Sequence, residues 1–182
     1  MDKKLYTNSI ILIGPSGAGK STVAKELEQI TGMQRLSLDR IANNARKTGF
    51  IKNFKNTEEF NCYMISKLLE DAEKSDSYGI VDFGAGHSVY EDPKIFDCVK
   101  EMLKPFENIV LLLPDQDRKK SLEIMKNRST GDTNDNERFL LSICNYELAT
   151  ITVYGEGRLP SEIATEILQK INKRKETQQK NY

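Results

Sequence analysis

The stretch IILIGPSGAGKST, residues 10–22, has the residue types and spacing needed to hold phosphate. Gly14, Gly19, Lys20 and Ser21 fill the four fixed positions of the pattern G-x-x-x-x-G-K-[ST]. Phosphate oxygens need several converging hydrogen-bond donors, and a backbone with little side-chain bulk can turn its N–H groups toward them. Lys20 would reach the outer phosphates, and the Ser21 hydroxyl would bind Mg²⁺. The predicted nucleotide-binding loop comprises Gly14, Pro15, Ser16, Gly17, Ala18, Gly19, Lys20, Ser21 and Thr22.

The elements on either side of this loop favour a functional interpretation of it. An apolar segment, Asn8–Ile13, precedes the loop and is typical of a buried parallel strand. After the loop, apolar residues recur at helical spacing up to Thr31-Gly32, where a glycine can end the helix. The alternative is a glycine turn that caps a helix and binds nothing. The strand–loop–helix order, with Lys20 and Ser21 both present, argues against that alternative.

Asp39, in the segment SLD at 37–39, is a candidate catalytic carboxylate. It follows the second predicted strand, and parallel α/β sheets bind ligands at the carboxyl ends of their strands. A kinase needs a carboxylate that orients an acceptor hydroxyl or takes its proton. The alternative is that Asp39 caps a helix over Arg40–Arg46. The two roles are compatible, and we favour the catalytic one.

A second chemical segment, DFGAGH at 82–87, follows the third predicted strand. Asp82 lies late in an apolar strand, where an unpartnered carboxylate is costly to bury, so we predict that it helps to hold Mg²⁺ through water. The alternative is a bond to a nearby Ser or to the backbone. Gly84, Ala85 and Gly86 would let a substrate approach the backbone, and His87 would lie at the rim as a substrate contact or as an ordinary polar loop residue.

Alternating apolar runs and amphipathic stretches predict an α/β chain with a parallel sheet. Helix starts are indicated at Thr57, at Asp92-Pro93 and at Ser161. The segment 174–182 is polar and is expected to be a disordered tail after a single domain at 1–173. The predicted strands are Asn8–Ile13, Gln34–Leu38, Gly79–Phe83, Asn108–Leu113 and Ile151–Tyr154.

Composition narrows the class of protein. The 182 residues suit one domain, and 27 basic residues balance 27 acidic ones, which argues against a dedicated nucleic-acid surface. Cys62, Cys98 and Cys144 form no CxxC pair, and the amino terminus has no long apolar stretch. We therefore expect a cytoplasmic protein with reduced thiols and no membrane or nucleic-acid partner, as a monomer or weak homodimer.

The segment 128–136, RSTGDTNDN, is a long polar connection that could close over a nucleotide as a lid and exclude water. Phosphoryl transfer needs a cationic group beside the negatively charged oxygens of the transferred phosphate. Arg128 is the best-placed catalytic cation in the sequence, with Arg138 in reserve. The alternative is an ordinary surface loop.

Together these motifs resemble those of the shikimate kinase-like small P-loop kinases. The resemblance runs through GPSGAGKST, LSLDRIA, IVDFGAG, VLLLP, NRSTGDTND and NYELATITVYGEGRLPSEIATEIL. It implies a three-layer α/β/α P-loop NTPase fold with a five-stranded parallel sheet, MgATP as phosphate donor and Asp39 facing the acceptor. It also implies Arg128 in or beside the lid and residues 154–160 near the adenine.

The sequence departs from that family at the positions that recognise substrate. The family has Asp-x-Asp where this chain has Ser37-Leu38-Asp39, so the first acid is missing and Asp82 is its candidate substitute. Two arginines that hold the acid substrate are also absent, and Asn61 and Asn145 lie at those positions. We therefore expect a neutral, polyhydroxylated or amide-bearing acceptor rather than shikimate.

Two classes of function remain open from the sequence. One is a small-molecule kinase that uses ATP and Mg²⁺. The other is a nucleotide-binding or NTP-hydrolysing regulatory module with a protein partner, in which Asp39 and the glycine turn position water or a segment of that partner.

Overall fold

The computed structural model describes residue 6 and residues 8–75, 79–128 and 133–180. Five strands form one sheet in the order β2-β3-β1-β4-β5, and every neighbouring pair is parallel. The predicted parallel sheet is confirmed, and each strand begins and ends within two residues of its predicted bounds. The strands are β1 Ile10–Ile13, β2 Arg35–Ser37, β3 Ile80–Asp82, β4 Ile109–Leu113 and β5 Ile151–Tyr154.

Helices connect the strands and begin close to the predicted positions. One starts at Thr57, and another starts at Pro93 with the Asp92 carboxylate accepting the Lys94 N–H at 2.9 Å as its N-cap. The last starts at Pro160, one residue before the predicted Ser161. The α-helices are α1 Lys20–Thr31, α2 Leu38–Lys47, α3 Thr57–Ser75, α4 Pro93–Leu103, α5 Arg118–Arg128, α6 Thr133–Leu141, α7 Cys144–Leu148 and α8 Pro160–Lys180; 3₁₀ turns span Phe50–Asn53 and Ala85–Ser88.

The sheet is covered on both faces because successive strand side chains point to opposite sides. Ile10 and Leu12 of β1 pack in a cluster with residues of α1 and α8. Ile11 and Ile13 pack in the other cluster, with residues of α2, α3, α4 and α6. The molecule is therefore the expected three-layer α/β/α arrangement.

Strand register brings the chemical segments to one edge of the sheet. Asp82 of β3 is paired with Leu12 of β1 and with Ser37 of β2. The phosphate loop, Asp39 and the glycine turn consequently all leave the sheet at the same level.

Two predicted segments differ from the structure or extend beyond the described residues. Helix α8 continues to Lys180, where a disordered tail was expected from residue 174. Arg174 donates to the Thr150 carbonyl at 2.7 Å and Lys175 donates to the Asn8 side chain at 3.2 Å, so these charged residues tie the helix to the domain. Of the predicted lid, Arg128 ends α5 and residues 133–136 begin α6, while 129–132 lie outside the described residues.

Among the helices in the part of the chain that the structure describes, none is long and apolar enough to cross a membrane.

Candidate active site

The phosphate loop is a tight turn that only glycine accommodates at two positions. Gly17 has a φ of 77° and Gly19 a φ of 92°, both in the left-handed region that side-chain-bearing residues rarely adopt. Gly19 is also the N-cap of α1. The turn therefore aims the amino end of α1 and its backbone N–H groups into the loop, an arrangement suited to phosphate.

Lys20 lies inside this loop rather than on its surface. Its side chain donates to the carbonyl oxygens of Gly14 at 2.8 Å and Pro15 at 2.9 Å, and the residue is only 8% exposed. Burial lowers the pKa of Lys20 to about 8, and the carboxylates of Asp82 and Asp39 partly oppose that shift. A bound phosphate would give this buried ammonium a negatively charged hydrogen-bond partner in place of carbonyl oxygens.

Ser21 and Asp82 form a joint oxygen site beside Lys20. The Ser21 hydroxyl donates to the Asp82 carboxylate at 2.6 Å, and Asp82 is 3% exposed. Burial raises the pKa of Asp82, because the ionised carboxylate loses its hydration. A hydroxyl and a carboxylate are the hard oxygen donors that Mg²⁺ prefers, so these residues fit the predicted cation. The bond between Ser21 and Asp82 also agrees with the alternative interpretation of Asp82, in which it pairs with a nearby Ser.

Asp39 lies in the first turn of α2 and does not cap it. The helix begins at Leu38, and the cap is Ser37, whose hydroxyl accepts the Arg40 N–H at 3.3 Å. The alternative interpretation of Asp39 as an N-cap therefore does not describe this structure. Its exposed carboxylate instead lies against Gly84 of the glycine turn, where an added Cβ would be 2.4 Å from Asp39 Oδ1.

A cavity of about 470 Å³ opens between the phosphate loop and the glycine turn. It brings together Ser16 of the loop, Asp39 of α2 and Gly86 of the turn. Helices α3 and α6 supply the rest of the wall. The lining residues are Ser16, Asp39, Arg46, Thr57, Glu58, Asn61, Ala85, Gly86, Val89, Asp135 and Arg138.

A chain of hydrogen bonds runs along this wall from Asp39 to the glycine turn. Asn43 donates to Asp39 at 3.3 Å, and Arg46 donates to Asn43 at 2.9 Å and to Asn61 at 3.1 Å. The Asn61 amide then donates to the Gly86 carbonyl at 3.0 Å. Because each member holds the next, the position of Asp39 is coupled to that of the turn.

The two asparagines found where the family has arginines differ in their access to the cavity, because Asn61 lines it and Asn145 does not. Both ends of the Asn61 side chain are already bonded within the protein. Asn145 is fully buried, accepting from the Ser88 hydroxyl at 2.7 Å and donating to the Phe139 carbonyl at 2.7 Å. Asn145 is therefore closed to an acceptor in the cavity, whereas Asn61 lines it with one further N–H and one further lone pair and stays a predicted substrate contact.

Arg46 and Arg138 line the cavity, at positions other than those where the family has its substrate-binding arginines. Arg46 comes from α2, seven residues after Asp39, and its guanidinium also lies 5.0 Å from the centre of the Phe60 ring. Arg138 comes from α6 and pairs with Glu58 at 3.3 Å and Glu91 at 2.9 Å. Arg46 could have been found from sequence, because residues 39, 43 and 46 share one helix face.

His87 was expected at the rim of the site, but it is buried and does not line the cavity. It is 1% exposed, and among the described residues neither ring nitrogen has a hydrogen-bond partner. Burial, together with the nearby positive charge of Arg46, lowers the pKa of His87 to about 4. At neutral pH the ring is therefore uncharged and packed beneath the glycine turn.

The two ends of the predicted lid make different contacts. Arg128 forms an ion pair with Glu156, which follows β5, and does not line the cavity. Asn136 of α6, which sequence reasoning missed, is buried and accepts the Ser16 N–H at 2.9 Å. Helix α6 thus contacts the phosphate loop through Asn136 and lines the cavity through Asp135 and Arg138.

Comparison with known proteins assigns the fold. A family model described as an AAA domain matches residues 10–89, which carry the phosphate loop, Asp39 and the glycine turn. Shikimate kinase from Acinetobacter baumannii, solved in complex with shikimate, is 22% identical with a TM-score of 0.62 over 96% of this chain and 99% of that chain. No curated protein matches the sequence.

Two further solved structures agree with this assignment. Shikimate kinase from Aquifex aeolicus is 20% identical, with a TM-score of 0.61 over 91% of this chain and 97% of that chain. A gluconokinase from Sinorhizobium meliloti 1021 is 18% identical, with a TM-score of 0.58 over 97% and 98%. The chain therefore has the fold of the shikimate kinase-like small P-loop kinases, which confirms the resemblance seen in its motifs.

Proposed function

We propose that the protein is an ATP- and Mg²⁺-dependent phosphotransferase that phosphorylates a hydroxyl group of a small molecule. The observation that carries this proposal is that Ser16 of the phosphate loop and Asp39 line the same cavity. A phosphate donor held by the loop and an acceptor held by Asp39 would then meet within one enclosed space.

On the donor side, the loop N–H groups and Lys20 would hold the phosphates of ATP. Ser21 and Asp82 would hold Mg²⁺, which neutralises charge on the phosphate oxygens when it is bound. Residues 154–160, from the last residue of β5 onward, are proposed to lie beside the adenine, as the resemblance implies.

On the acceptor side, Asp39 would accept a hydrogen bond from the attacking hydroxyl and take its proton as transfer proceeds. The Asn43–Arg46–Asn61 chain holds the helix that carries Asp39 against the glycine turn. Arg128 remains the proposed catalytic cation, and it would have to leave its pair with Glu156 to act on the transferred group.

The charges of the cavity broaden the range of acceptors. Arg46 bonds there to the amide oxygens of Asn43 and Asn61, so it keeps its full positive charge facing the cavity. Hydroxy acids therefore join neutral sugars, cyclitols and nucleosides as acceptor candidates. The carboxylates of Asp39, Glu58 and Asp135 also line the wall, so neutral acceptors stay candidates beside the hydroxy acids.

The test is a screen of hydroxyl compounds with ATP and Mg²⁺, read by mass for a phosphorylated product. Neutral and acidic acceptors are screened side by side, and Lys20→Ala serves as the control for a contaminating kinase. We expect at least one product that the control does not form. Slow ATP hydrolysis that no compound stimulates would contradict the proposal and favour the nucleotide-binding regulatory module with a protein partner.

A further inference from the structure

Two cysteines that are distant in sequence meet on the neighbouring helices α3 and α4. Cys62 of α3 is half-buried and Cys98 of α4 is exposed, and both are free thiols. Their sulfur atoms are 3.8 Å apart. A disulfide requires about 2.05 Å, and rotation about the χ1 torsion of each cysteine is the motion that would bring the sulfurs together.

The surrounding contacts hold these two helices in register. The Glu58 carboxylate accepts the N–H groups of Glu91 at 2.9 Å and Asp92 at 3.1 Å, immediately before α4 begins. Glu58 and Cys62 are four residues apart and therefore lie on the same face of α3. The face that carries Cys62 is thus already fixed toward α4 one turn away.

We propose that Cys62 and Cys98 are a dithiol–disulfide pair, a reversible modification site that cross-links α3 to α4. The proposal rests on the separation of the sulfurs and the packing of the helices, and it does not depend on the proposed phosphotransfer.

The chemistry runs by thiol–disulfide exchange with a small disulfide such as oxidised glutathione. The exposed Cys98, as its thiolate, attacks one sulfur of that disulfide, forming a mixed disulfide and releasing one glutathione thiolate. Cys62 then loses its proton to solvent and attacks the Cys98 sulfur, releasing the second glutathione. Two protein thiols are oxidised and one glutathione disulfide is reduced to two thiols.

The environments of the two thiols support this order of attack. Burial, together with the adjacent Cys98 thiol, raises the pKa of Cys62 to about 12. A thiol with so little thiolate at neutral pH is a poor first nucleophile toward a dissolved oxidant. Held next to a mixed disulfide on Cys98, however, it reacts within the molecule at a high effective concentration.

The cross-link would act on the cavity wall through the residue next to it in the chain. Asn61 precedes Cys62 and holds both Arg46 and the Gly86 carbonyl. Fixing Cys62 to α4 would therefore restrict the segment of α3 that carries Asn61. The backbone N–H groups of that segment should exchange with solvent more slowly in the oxidised protein.

The first experiment equilibrates the full chain with glutathione buffers of varied oxidation and follows its mass and thermal midpoint. We expect a monomer that loses two hydrogen atoms, regains them with excess reduced glutathione, and melts about 5 to 15 °C higher when oxidised. Hydrogen exchange should slow by about tenfold or more around Asn61. A persistent glutathione adduct, a disulfide between two molecules, or no oxidation in any buffer would overturn the proposal.

Three substitutions test the order of attack. Cys62→Ser should trap a stable glutathione adduct on Cys98, whereas Cys98→Ser should react at least about tenfold more slowly than the unmodified sequence. Cys144→Ser is the matched control, because Cys144 is buried and lies against the Tyr90 carbonyl, and it should still form the cross-link. Equal adduct formation on Cys62 and Cys98, or loss of the cross-link in Cys144→Ser, would contradict the assignment.

Discussion

Asp39 lies directly against Gly84, so closely that a Cβ at Gly84 would be 2.4 Å from Asp39 Oδ1. This contact joins the first turn of α2 to the glycine turn that follows β3. Gly84 has a φ of −63°, so its backbone suits any residue, and the reason for glycine is the space that the carboxylate occupies.

This contact predicts different effects for two glycines of the same turn. Gly84→Ala should displace Asp39 and lower transfer to the acceptor by about ten- to hundredfold, since small displacements of a catalytic group are costly. Gly86→Ala adds the same methyl without displacing Asp39, because its Cβ would lie 3.8 Å from the nearest atom, Asn61 Nδ2. Since Gly86 lines the cavity, its effect should fall on the acceptor KM, and the two variants are compared at saturating acceptor. Both variants should keep their MgATP affinity within about threefold by calorimetry. Equal transfer rates in the two variants would show that the contact is unimportant.

The hydrogen-bonded wall predicts a loss of stability when Asn61 is replaced. Asn61→Ala removes the bond that Arg46 donates and leaves the Gly86 carbonyl without its donor, so the free energy of unfolding should fall by about 2 to 3 kcal/mol. Asn44→Ala, at an exposed position on α2, should change it by less than about 0.5 kcal/mol. Urea denaturation measures both. A similar small change in the two variants would contradict the role of Asn61.

Asp82 predicts a specific change in Mg²⁺ dependence. Asp82→Asn keeps an oxygen that can accept the Ser21 hydroxyl but loses the negative charge, so the Mg²⁺ concentration for half-maximal ATP binding should rise about tenfold or more. Affinity for metal-free ATP should change by less than about threefold. The exposed Asp97→Asn on α4 controls for the loss of one charge. An unaltered Mg²⁺ titration in Asp82→Asn would make Asp82 a structural residue only.

The buried ammonium of Lys20 predicts that ATP binding weakens in alkali. Its pKa of about 8 in the free protein means that it is charged below pH 7 and loses its proton above pH 8. The dissociation constant for MgATP should be constant below pH 7 and rise by up to about tenfold per pH unit above pH 8. Lys20→Arg should lack this rise, because a guanidinium stays charged. A constant affinity to pH 9.5 in the unmodified sequence would contradict the prediction.

The lowered pKa of Lys20 affects the stability of the ligand-free protein in the opposite direction to its effect on ATP binding, because stability rises with pH while ATP affinity falls. The folded pKa is lower than that of an exposed lysine, 10.5, so between about pH 8 and 10.5 the unfolded chain binds more protons than the folded one. The contribution of Lys20 to the free energy of unfolding therefore rises with pH over that interval. Comparison of urea denaturation of the unmodified sequence with Lys20→Met from pH 7 to 10 isolates this contribution. No difference in their pH dependence would contradict it.

The sheet and the phosphate loop could be predicted because their signals are local. The loop needs three residue types at four fixed positions, and the predicted strands are short apolar runs. Arg46 was also within reach of local reasoning, since residues 39, 43 and 46 lie on one face of a helix. The helix at 174–180 has no apolar face in the sequence, and its only local signal is the high helix propensity of Lys, Arg, Glu and Gln.

Other parts of the site arise from tertiary packing and leave no pattern in the sequence. Ser16 and Asn136 are 120 residues apart, and Cys62 and Cys98 are 36 apart. The asparagines at 61 and 145 lie at positions where the family has arginines, but only the structure shows that both side chains are bonded within the protein. Reasoning from an absent residue could not reveal that Arg46, from another helix, enters the same cavity.

The most direct test of the account is whether Asp39 serves the acceptor and not ATP. The measurement compares Asp39→Asn with the unmodified sequence in two assays, MgATP binding by calorimetry and transfer to the acceptor found by the screen. We predict that MgATP affinity stays within about threefold, well under 1 kcal/mol, while transfer falls by about a hundredfold or more, the scale expected for loss of a positioned base. If Asp39→Asn loses binding and transfer in equal measure, or loses neither, Asp39 is not the acceptor-side carboxylate.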